Sequence, residues 1–356
     1  MSIYQALDVV DFGDAVSNNV INMSNLLAEL GYNTKIYTRW IHDKRIEYYN
    51  DINKLKVNND DILFYHYSGK SSIIEQIKRL KCKKILVYHN ITPPHYFKNN
   101  KDLHELCEGG LTQLKENLIY FDGYVSDSEF NKQDLISMGI KEESIEVIPI
   151  FIDFGKMEEV GNNNVLIDNY KNNNQRNFLF VGRIVPNKKV EDVLSIFNYY
   201  YTKISNNSNL FLVGNFEQYP EYYEELKIFM KDFACTQKVF FTGKVSDSDL
   251  YSYYRLADLF LCMSEHEGFC VPLIESMYYN IPIISYDACA VKYTMGDAGV
   301  LVYKKEYDTI GELCNLILED GELNSYIIEK QSKRLKEFER DSIIQKLLTT
   351  IKKYTE

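Results

Sequence analysis

Long hydrophobic runs are missing from this sequence, and so is a recognisable export signal. No apolar stretch approaches the roughly 18 residues that a membrane-spanning helix needs. The first residues, MSIYQALDVVDFGD, contain acidic side chains where a secretion signal has a positively charged segment and then a long apolar one. We therefore expect neither secretion nor a membrane span, and the sequence predicts a cytoplasmic protein.

Paired cysteine motifs are missing as well. The seven cysteines are scattered, without a Cys-X-X-Cys pair and without a histidine at the spacing of a zinc site. In a cytoplasmic chain the simplest interpretation is a set of reduced, mostly buried thiols.

The composition excludes one class of partner and indicates two domains. Lys and Arg number 40 against 51 Asp and Glu, which argues against nucleic acid as a partner because its binding needs a dominant positive field. A chain of 356 residues with 45% hydrophobic residues can bury more than one core. At about 150 residues per domain, two domains are expected.

Short apolar runs alternate with helical patterns along both halves of the chain. The predicted strands are 3–10, 34–39, 61–67, 84–90, 123–128 and 145–151, then 178–183, 210–215, 239–244, 259–264, 281–287 and 299–302, with helices between them that include 15–30, 71–81 and 101–119. Strands that are apolar throughout suit a parallel sheet with helices on both faces. The sequence thus predicts an α/β protein with two doubly wound, Rossmann-like domains.

A polar, asparagine-rich stretch interrupts this alternation. We interpret GNNNVLIDNYKNNNQRN (161–177) as the linker region, and expect an N-terminal domain over 1–160 and a C-terminal domain over 161–337. The last segment, about 338–356, contains DSIIQKLLTTIKKY with apolar residues at helical spacing. We expect that helix to pack on the first domain.

The clearest functional signal is SEHEGFCVPLIESMYYNIPIISYD (264–287). A strand ends there, a glycine turn follows, and Pro272 suits the first turn of a helix. The backbone N–H groups of the turn would point outward at the positive end of the helix dipole, a favourable place for a diphosphate. These groups belong to Gly268, Phe269, Cys270 and Val271.

Charged side chains surround this turn. Glu267 precedes it and Glu275 lies inside the helix; both could accept hydrogen bonds from sugar hydroxyls, or could merely stabilise the helix dipole. Arg183 and Lys188, in VGRIVPNKK, follow the first strand of the second domain. They could neutralise charge on a diphosphate leaving group, or be ordinary surface cations.

In order and spacing these motifs resemble the retaining glycosyltransferases of family four, which have the two-domain GT-B fold. The shared pattern is GR followed by Lys, LFLVG, FTG with SDSDLYSYY, AD, and EGF with a second Glu eight residues on. The resemblance implies two domains facing across a cleft and sugar transfer from a nucleotide-diphosphate donor. It also implies that Glu267 contacts the donor sugar, that Glu275 binds the ribose, and that Arg183 and Lys188 bind the diphosphate.

Two residues depart from that family's pattern. The glycine that usually follows the lysine is Lys189 here, and the glycine that usually follows Glu-Gly-Phe is Cys270. Either side chain would narrow the phosphate site, although the backbone amide of Cys270 remains available.

The first domain resembles the same family more weakly. Gly13, in DFGDAVSNN, looks like part of the glycine loop by which family members approach the donor phosphates and the acceptor. His89, in HNITPP, occupies the place of the family's histidine that bonds a donor-sugar hydroxyl, and a structural histidine is the alternative. His66 ends the preceding strand in the same way, and His266 is predicted to be a supporting neighbour of Glu267.

The resemblance implies a mechanism without a dedicated base, in which the departing phosphate oxygen accepts the proton of the incoming hydroxyl. No cofactor is expected besides the donor substrate, for which a UDP- or GDP-sugar is the first choice. Asp247-Ser248-Asp249 has the D-x-D spacing that binds a metal in another glycosyltransferase fold, but here it is typical of a helix start. We expect a metal-independent enzyme.

The acceptor expected from the resemblance is a glycan or a lipid-linked molecule, in the synthesis of bacterial surface polysaccharide or glycolipid. The basic stretch IIEQIKRLKCKK (73–84) would contact anionic lipid at the inner face of the membrane, or its lysines would complement a helix dipole. Two alternatives remain open: an epimerase or phosphorylase of the same fold, and a non-catalytic sugar-nucleotide-binding scaffold.

Overall fold

The computed structural model describes residues 1–11, 13–42, 46–171 and 175–355. The chain divides into two compact units. The first combines Met1–Asp153 with Glu337–Glu356, and the second is Phe154–Lys336. The chain therefore leaves the first unit once and returns to it at the end.

The first unit is built on a seven-stranded sheet. Its strands are β1 (Ser2–Asp11), β2 (Asn33–His42), β3 (Tyr49–Asp51), β4 (Ile62–Tyr67), β5 (Lys83–Tyr88), β6 (Gly123–Ser126) and β7 (Ile145–Val147). Their order in space is β3-β2-β1-β4-β5-β6-β7, and all pairings are parallel. Because the order reverses between β1 and β4, the loops that follow these strands diverge, which is where open α/β sheets bind ligands.

In the described part of this unit, four α-helices lie between the strands. They are α1 (Ala15–Glu29), α2 (Ile74–Ile77), α3 (Lys101–Asn117) and α4 (Glu129–Ser137). Helix α1 begins after Asp14 because the Asp14 carboxylate accepts a hydrogen bond from the Ser17 backbone N–H at 2.9 Å. Its apolar face packs on the sheet, where Met23 and Leu26 share a buried core with Ile3.

The second unit repeats the architecture with six strands. Its elements are α5 (Phe154–Glu159), α6 (Asn164–Tyr170), β8 (Arg176–Val181), α7 (Val190–Lys203), β9 (Ser208–Val213), α8 (Pro220–Phe229), β10 (Val239–Gly243), α9 (Asp247–Leu256), β11 (Leu259–Cys262), α10 (Val271–Tyr278), β12 (Ile283–Tyr286), α11 (Val291–Met295), β13 (Val300–Val302), α12 (Tyr307–Glu319) and α13 (Gly321–Leu335). The parallel order is β10-β9-β8-β11-β12-β13. It reverses between β8 and β11.

The last helix, α14 (Arg340–Thr355), belongs to the first unit. Its Ile343, Leu347 and Ile351 are buried in the same core as Ile3 and Met23. The first unit is therefore completed by a segment that follows the whole second unit in sequence.

The predicted fold class, two doubly wound parallel α/β domains, is confirmed. In detail the structure differs from the expectations at three places. A helix, α6, occupies part of the predicted linker 161–177, with the Asn163 side chain capping its first turn, and the first unit ends at Asp153 instead of 160. The helix predicted at 71–81 is the single turn α2, started by the Ser71 hydroxyl oxygen, which accepts from two backbone N–H groups.

Within the described residues, none of the helices combines the length and the apolar composition needed to cross a bilayer.

A close backbone approach joins the ends of β8, β9 and β10. The Gly182 N–H donates to the Val213 carbonyl at 2.9 Å, and the Gly214 N–H donates to the Gly243 carbonyl at 3.1 Å. Gly214 has φ +151°, and a Cβ placed there would overlap with the carbonyl oxygen of Gly182. Only glycine combines this positive φ with the absence of a Cβ, so the loop that carries Arg183 depends on Gly214.

We expect Gly214→Ala to destabilise the second unit, because backbone atoms must move apart to admit the methyl group. A cost of about 2 kcal/mol or more corresponds to a melting temperature lower by at least about 5 °C in differential scanning calorimetry. The matched control is Gly321→Ala at the start of α13, where a Cβ meets open space. If both variants melt like the parent chain, the close approach is not a constraint.

Candidate functional site

The predicted donor residues meet where the strand order reverses in the second unit. Arg183 and Lys188 lie in the loop between β8 and α7, and Glu267 lies in the loop between β11 and α10. Strands β8 and β11 are neighbours and parallel, so their following loops emerge side by side.

Hydrogen bonds connect the two loops directly. The Glu265 N–H donates to the Asn187 carbonyl at 2.8 Å, and the Asn187 side-chain amide donates to the His266 carbonyl at 3.0 Å. Asn187 is 2% exposed, so these bonds are shielded from water. No pattern in the sequence indicated this role for Asn187.

Lys188 and Glu267 form an ion pair between the same loops. The Lys188 Nζ lies 2.6 Å from Oε1 and 2.7 Å from Oε2 of Glu267, and both side chains are largely buried. Burial alone would lower the pKa of Lys188, but the attraction and hydrogen bonds of Glu267, together with the nearby Cys270 and Cys262, outweigh it and raise that pKa. Lys188 is therefore charged and held in one position.

The turn before α10 is fixed from the side of α11. The Thr294 hydroxyl donates to the Phe269 carbonyl at 2.5 Å, and the Ala290 N–H donates to the Glu267 carbonyl at 3.2 Å. Gly268 lies between them, and Cys270 is the N-cap residue of α10, which begins at Val271 as predicted. The structure thus brings these turn residues to a helix N-terminus, a position suited to an anion.

Both departures from the family's glycine pattern have left-handed backbones. Lys189 has φ +53° and precedes α7, and Cys270 has φ +74° and precedes α10. Glycine adopts this region freely, whereas other residues require about 1 kcal/mol or more. The glycines that the resemblance led us to expect are thus explained by geometry, and this chain tolerates a side chain at each.

Glu275 lies one turn inside α10 and is held by a tyrosine. The Tyr254 hydroxyl donates to Glu275 Oε2 at 2.6 Å. Burial raises the pKa of Glu275 to about 7, and the Tyr254 bond opposes that shift. A carboxyl with this pKa changes charge near neutral pH.

Arg183, the other cation predicted to bind the diphosphate, lies in surroundings different from those of Lys188. Arg183 is exposed, and across the described residues its guanidinium takes part in no ion pair within 4 Å. Lys189 instead pairs with Glu191 at 3.2 Å and with Glu265 at 3.8 Å. His266 is buried beside Glu267, with its Nδ1 3.4 Å from the Cys289 Sγ. Arg183 is therefore the cation best placed to receive an external anion.

The D-x-D acids lie in the first turn of α9. The Ser246 hydroxyl oxygen caps this helix by accepting from the Asp249 N–H at 3.2 Å. The Asp249 carboxylate accepts from the Asn163 side chain at 2.7 Å, and Asp247 lies 3.7 Å from the Lys156 Nζ. These contacts are those of a helix start.

In the first unit, His89 and His66 belong to a buried chain of hydrogen bonds. Gln5 Oε1 lies 2.9 Å from His66 Nε2, His66 Nδ1 lies 2.8 Å from His89 Nε2, and His89 Nδ1 lies 2.7 Å from Asp127 Oδ2. All four side chains are less than a tenth exposed. Both ring nitrogens of His89 are thus engaged within the protein.

The groups at the two ends of this series of hydrogen bonds determine where its hydrogens lie. The Gln5 amide nitrogen donates to the Val20 carbonyl at 3.0 Å, so Gln5 Oε1 faces His66 and must accept. Asp127 accepts at the other end, and a third hydrogen lies between the rings. Three hydrogens on two imidazoles give one positive charge, which the Asp127 carboxylate balances. Burial, and next the neighbouring His89, hold the pKa of His66 well below its usual value.

Sequence reasoning had missed Gln5 and Asp127. A signal was present, because His66 ends β4, His89 follows β5 and Asp127 follows β6, and the carboxyl ends of adjacent parallel strands meet at one edge. Gly13, by contrast, is exposed with φ +75°, and its neighbour Phe12 lies outside the described residues.

Lys78 and Lys84, in the stretch 73–84, have local partners. The Lys78 Nζ lies 2.5 Å from Glu75 Oε1 and 5.0 Å from the centre of the Tyr120 ring. The Lys84 Nζ donates to the Leu80 carbonyl at 3.0 Å. These contacts pair both ammonium groups within the first unit, and contact with a membrane stays a prediction.

We expect Asp127→Asn to destabilise the first unit by about 1–3 kcal/mol, because the buried chain loses the charge that balances its third hydrogen. Urea unfolding followed by circular dichroism measures the change. Asp60→Asn, at an exposed turn, is the control and should stay within about 0.5 kcal/mol of the parent chain. Equal stability of both variants would contradict the assignment of hydrogens.

The raised pKa of Glu275 predicts how the stability of the chain depends on pH. Its pKa in the folded chain is raised above the ordinary 4.5 to about 7, so its contribution to stability is complete below pH 4.5 and is lost as pH rises through 7. Glu275→Gln cannot ionise, so the variant should gain stability relative to the parent chain over that window. Urea midpoints between pH 4.5 and 7.5 test this, with Glu322→Gln at the start of α13 as control. Parallel curves for parent and Glu275→Gln would contradict it.

Residues 165–334 match the sequence model of the family described as glycosyl transferases group 1. The matched segment lies within the second unit and includes Arg183, Lys188, Glu267 and Glu275. The chain is 25% identical over 239 residues to alpha-monoglucosyldiacylglycerol synthase of Streptococcus pneumoniae, covering 63% of this chain and 53% of that protein. It is 26% identical over 220 residues to the capsular polysaccharide biosynthesis glycosyltransferase CapM of Staphylococcus aureus, covering 59% and 56%. The matched region thus spans little more than half the length of these relatives.

The fold is also found in a solved structure, HepE of Anabaena in complex with UDP-glucose. It superposes with a TM-score of 0.73 over 99% of this chain and 100% of that one, at 14% sequence identity. At this identity the likeness shows the fold alone. The sequence match lies in the second unit, where residues 165–334 are similar to the glycosyl transferases group 1 family.

Proposed function

We propose that this chain is a retaining glycosyltransferase that uses a nucleotide-diphosphate sugar as donor. The observation that carries the proposal is the meeting of Lys188 and Glu267 at the reversal of strand order, beside the N-terminus of α10. A cation, a carboxylate and N-terminal backbone amides are the groups that a diphosphate and its sugar require. HepE, which has this fold, was solved with UDP-glucose, and this supports a UDP-sugar ahead of a GDP-sugar.

Donor binding would exchange the partners of the ion pair. The Lys188 ammonium would turn to the diphosphate oxygens, and the Glu267 carboxylate would accept hydrogen bonds from sugar hydroxyls. Because both groups are already fixed and shielded, little ordering remains to be done when the donor arrives. Glu275 would accept from the ribose hydroxyls, with Tyr254 orienting it.

Charge compensation is the main contribution that we assign to the protein. As the bond from sugar to phosphate breaks, negative charge grows on the diphosphate, and Arg183, Lys188 and the turn Gly268–Val271 stabilise it. The departing phosphate oxygen accepts the proton of the acceptor hydroxyl on the same face of the sugar, so the configuration at the anomeric carbon is retained. No protein base is needed for that step.

Metal independence is part of the proposal. The acids with D-x-D spacing, Asp247 and Asp249, are engaged with Lys156 and Asn163 at the start of α9. Arg183 and Lys188 supply the positive charge that a metal would otherwise bring to the diphosphate.

The roles proposed for Gly13 and His89 rest on the resemblance. For His89 to donate to a sugar hydroxyl, its bond to His66 must open, since both ring nitrogens have partners. We therefore assign to His89 a role that depends on rearrangement of the chain Gln5–His66–His89–Asp127.

A glycolipid or a surface polysaccharide is the proposed product, formed at the inner face of a bacterial membrane from a lipid-linked or glycan acceptor. The support comes from two relatives, one named for glucosyldiacylglycerol synthesis and one for capsular polysaccharide synthesis. Peripheral contact through 73–84 would bring such an acceptor close.

The test begins with a thermal-shift screen of UDP-, GDP-, ADP- and TDP-glucose in EDTA. We expect UDP-glucose to raise the melting temperature, and nucleotide release to follow when diacylglycerol vesicles are added. Arg183→Ala should lower kcat about 100-fold through the lost charge compensation. Proton coupling at the anomeric carbon of the product reports retention.

Arg176→Ala is the matched control, because Arg176 lies in the same unit but pairs with Glu319 at 2.9 Å. It should keep the parent activity. If no nucleotide sugar raises the melting temperature, the proposal fails. If a nucleotide sugar binds but no acceptor releases the nucleotide, and Arg183→Ala changes only binding, a non-catalytic scaffold is favoured.

A further inference from the structure

We propose that Cys262, Glu267 and Cys270 form a binding site for a soft divalent metal ion of the zinc class. The site shares Glu267 with the proposed donor site, but the ion takes no part in the transfer chemistry, which we take to be metal-independent. Binding of the ion does not depend on the proposed function, and only its effect on the donor does.

The three side chains converge. One ligand atom from each, the two Sγ atoms and a carboxylate oxygen, lie within 4.8 Å of one another, and all three residues are buried. In a tetrahedral zinc site with Zn–S bonds of about 2.3 Å, the two sulfur atoms are about 3.8 Å apart. The bound of 4.8 Å on the three ligand atoms is compatible with that spacing.

The ligands are held on a rigid frame. Cys262 is the last residue of β11 and Cys270 caps α10, while the Glu267 carbonyl accepts from the Ala290 N–H. Groups fixed in this way lose little freedom when an ion binds.

The charges of the cluster balance around a divalent ion. Two thiolates and the Glu267 carboxylate carry three negative charges, the ion brings two positive charges, and the Lys188 ammonium brings one. The total is zero, which matters because a buried net charge is costly. Lys188 can keep one carboxylate oxygen while the ion takes the other.

The donor set selects the class of ion. Thiolates favour zinc and similar soft ions, whereas magnesium and calcium prefer oxygen ligands. Three protein ligands leave a fourth position for water or another small ligand.

Cys270 has a backbone conformation that is unusual for a residue with a side chain. Its φ of +74° is a glycine conformation, and keeping a side chain there requires about 1 kcal/mol or more. A side chain at this costly backbone position, with its thiol close to Cys262 and Glu267, fits a ligand role.

An ion at this site would occupy the carboxylate that we assign to the donor sugar. The ion and the donor should therefore compete, and zinc would act as an inhibitor of the proposed transferase. This consequence rests on the proposed function.

Cobalt(II) is the probe, since thiolate-to-cobalt charge transfer gives a near-ultraviolet band that needs no donor and no activity. Titration of the reduced, metal-free chain should give the band with saturation at one ion per chain. Cys270→Gly removes a ligand and relieves the backbone, so it should fold normally and bind cobalt at least about 100-fold more weakly. Cys235→Ala, at another buried cysteine, should bind like the parent chain.

Absence of the band at one equivalent would overturn the site, as would unchanged affinity in Cys270→Gly. A band lost instead in Cys289→Ala would overturn it too, because the ion would then lie at Cys289 and His266. The effect on the donor is measured separately. If zinc binds but the melting-temperature rise caused by UDP-glucose is unchanged, the site stands and the competition does not.

Discussion

The ion pair between Lys188 and Glu267 is the contact on which the candidate site depends. It joins the loops after β8 and β11, and each charge is stable in so little solvent only because the other is present. Loss of either partner would leave a buried charge unpaired. The hydrogen bonds of Asn187 to the same two loops act in parallel, so the positions of Lys188 and Glu267 follow from this junction.

Much of the fold could be predicted because the strands are recognisable in the sequence. Runs such as FLFVG and LFLVG are apolar throughout, as strands covered on both faces must be, and each became a strand of a parallel sheet. Helix α6 was missed because its asparagine-rich composition looks like a linker, while its stability comes from the Asn163 cap and from contacts with α9. Such contacts join residues far apart in sequence, and local patterns do not contain them.

For the site, the sequence indicated the residues but not their relations. Glu267 and Lys188 were both expected to meet a ligand, whereas the structure shows them holding each other. The chain from Gln5 to Asp127 draws on four separate segments of the first unit, so no motif could contain it. The left-handed conformations of Lys189 and Cys270 are a further example, since the sequence marks the departure from glycine but not the backbone that makes it costly.

The place of α14 sets an order of folding during synthesis. Ile343, Leu347 and Ile351 complete the core of the first unit, yet they leave the ribosome only after all of Phe154–Lys336. At 5–20 residues per second, the first unit waits roughly 10 to 40 s with that side of its sheet uncovered. The second unit can fold during this interval, so of the two units the one that is synthesised earlier is completed later.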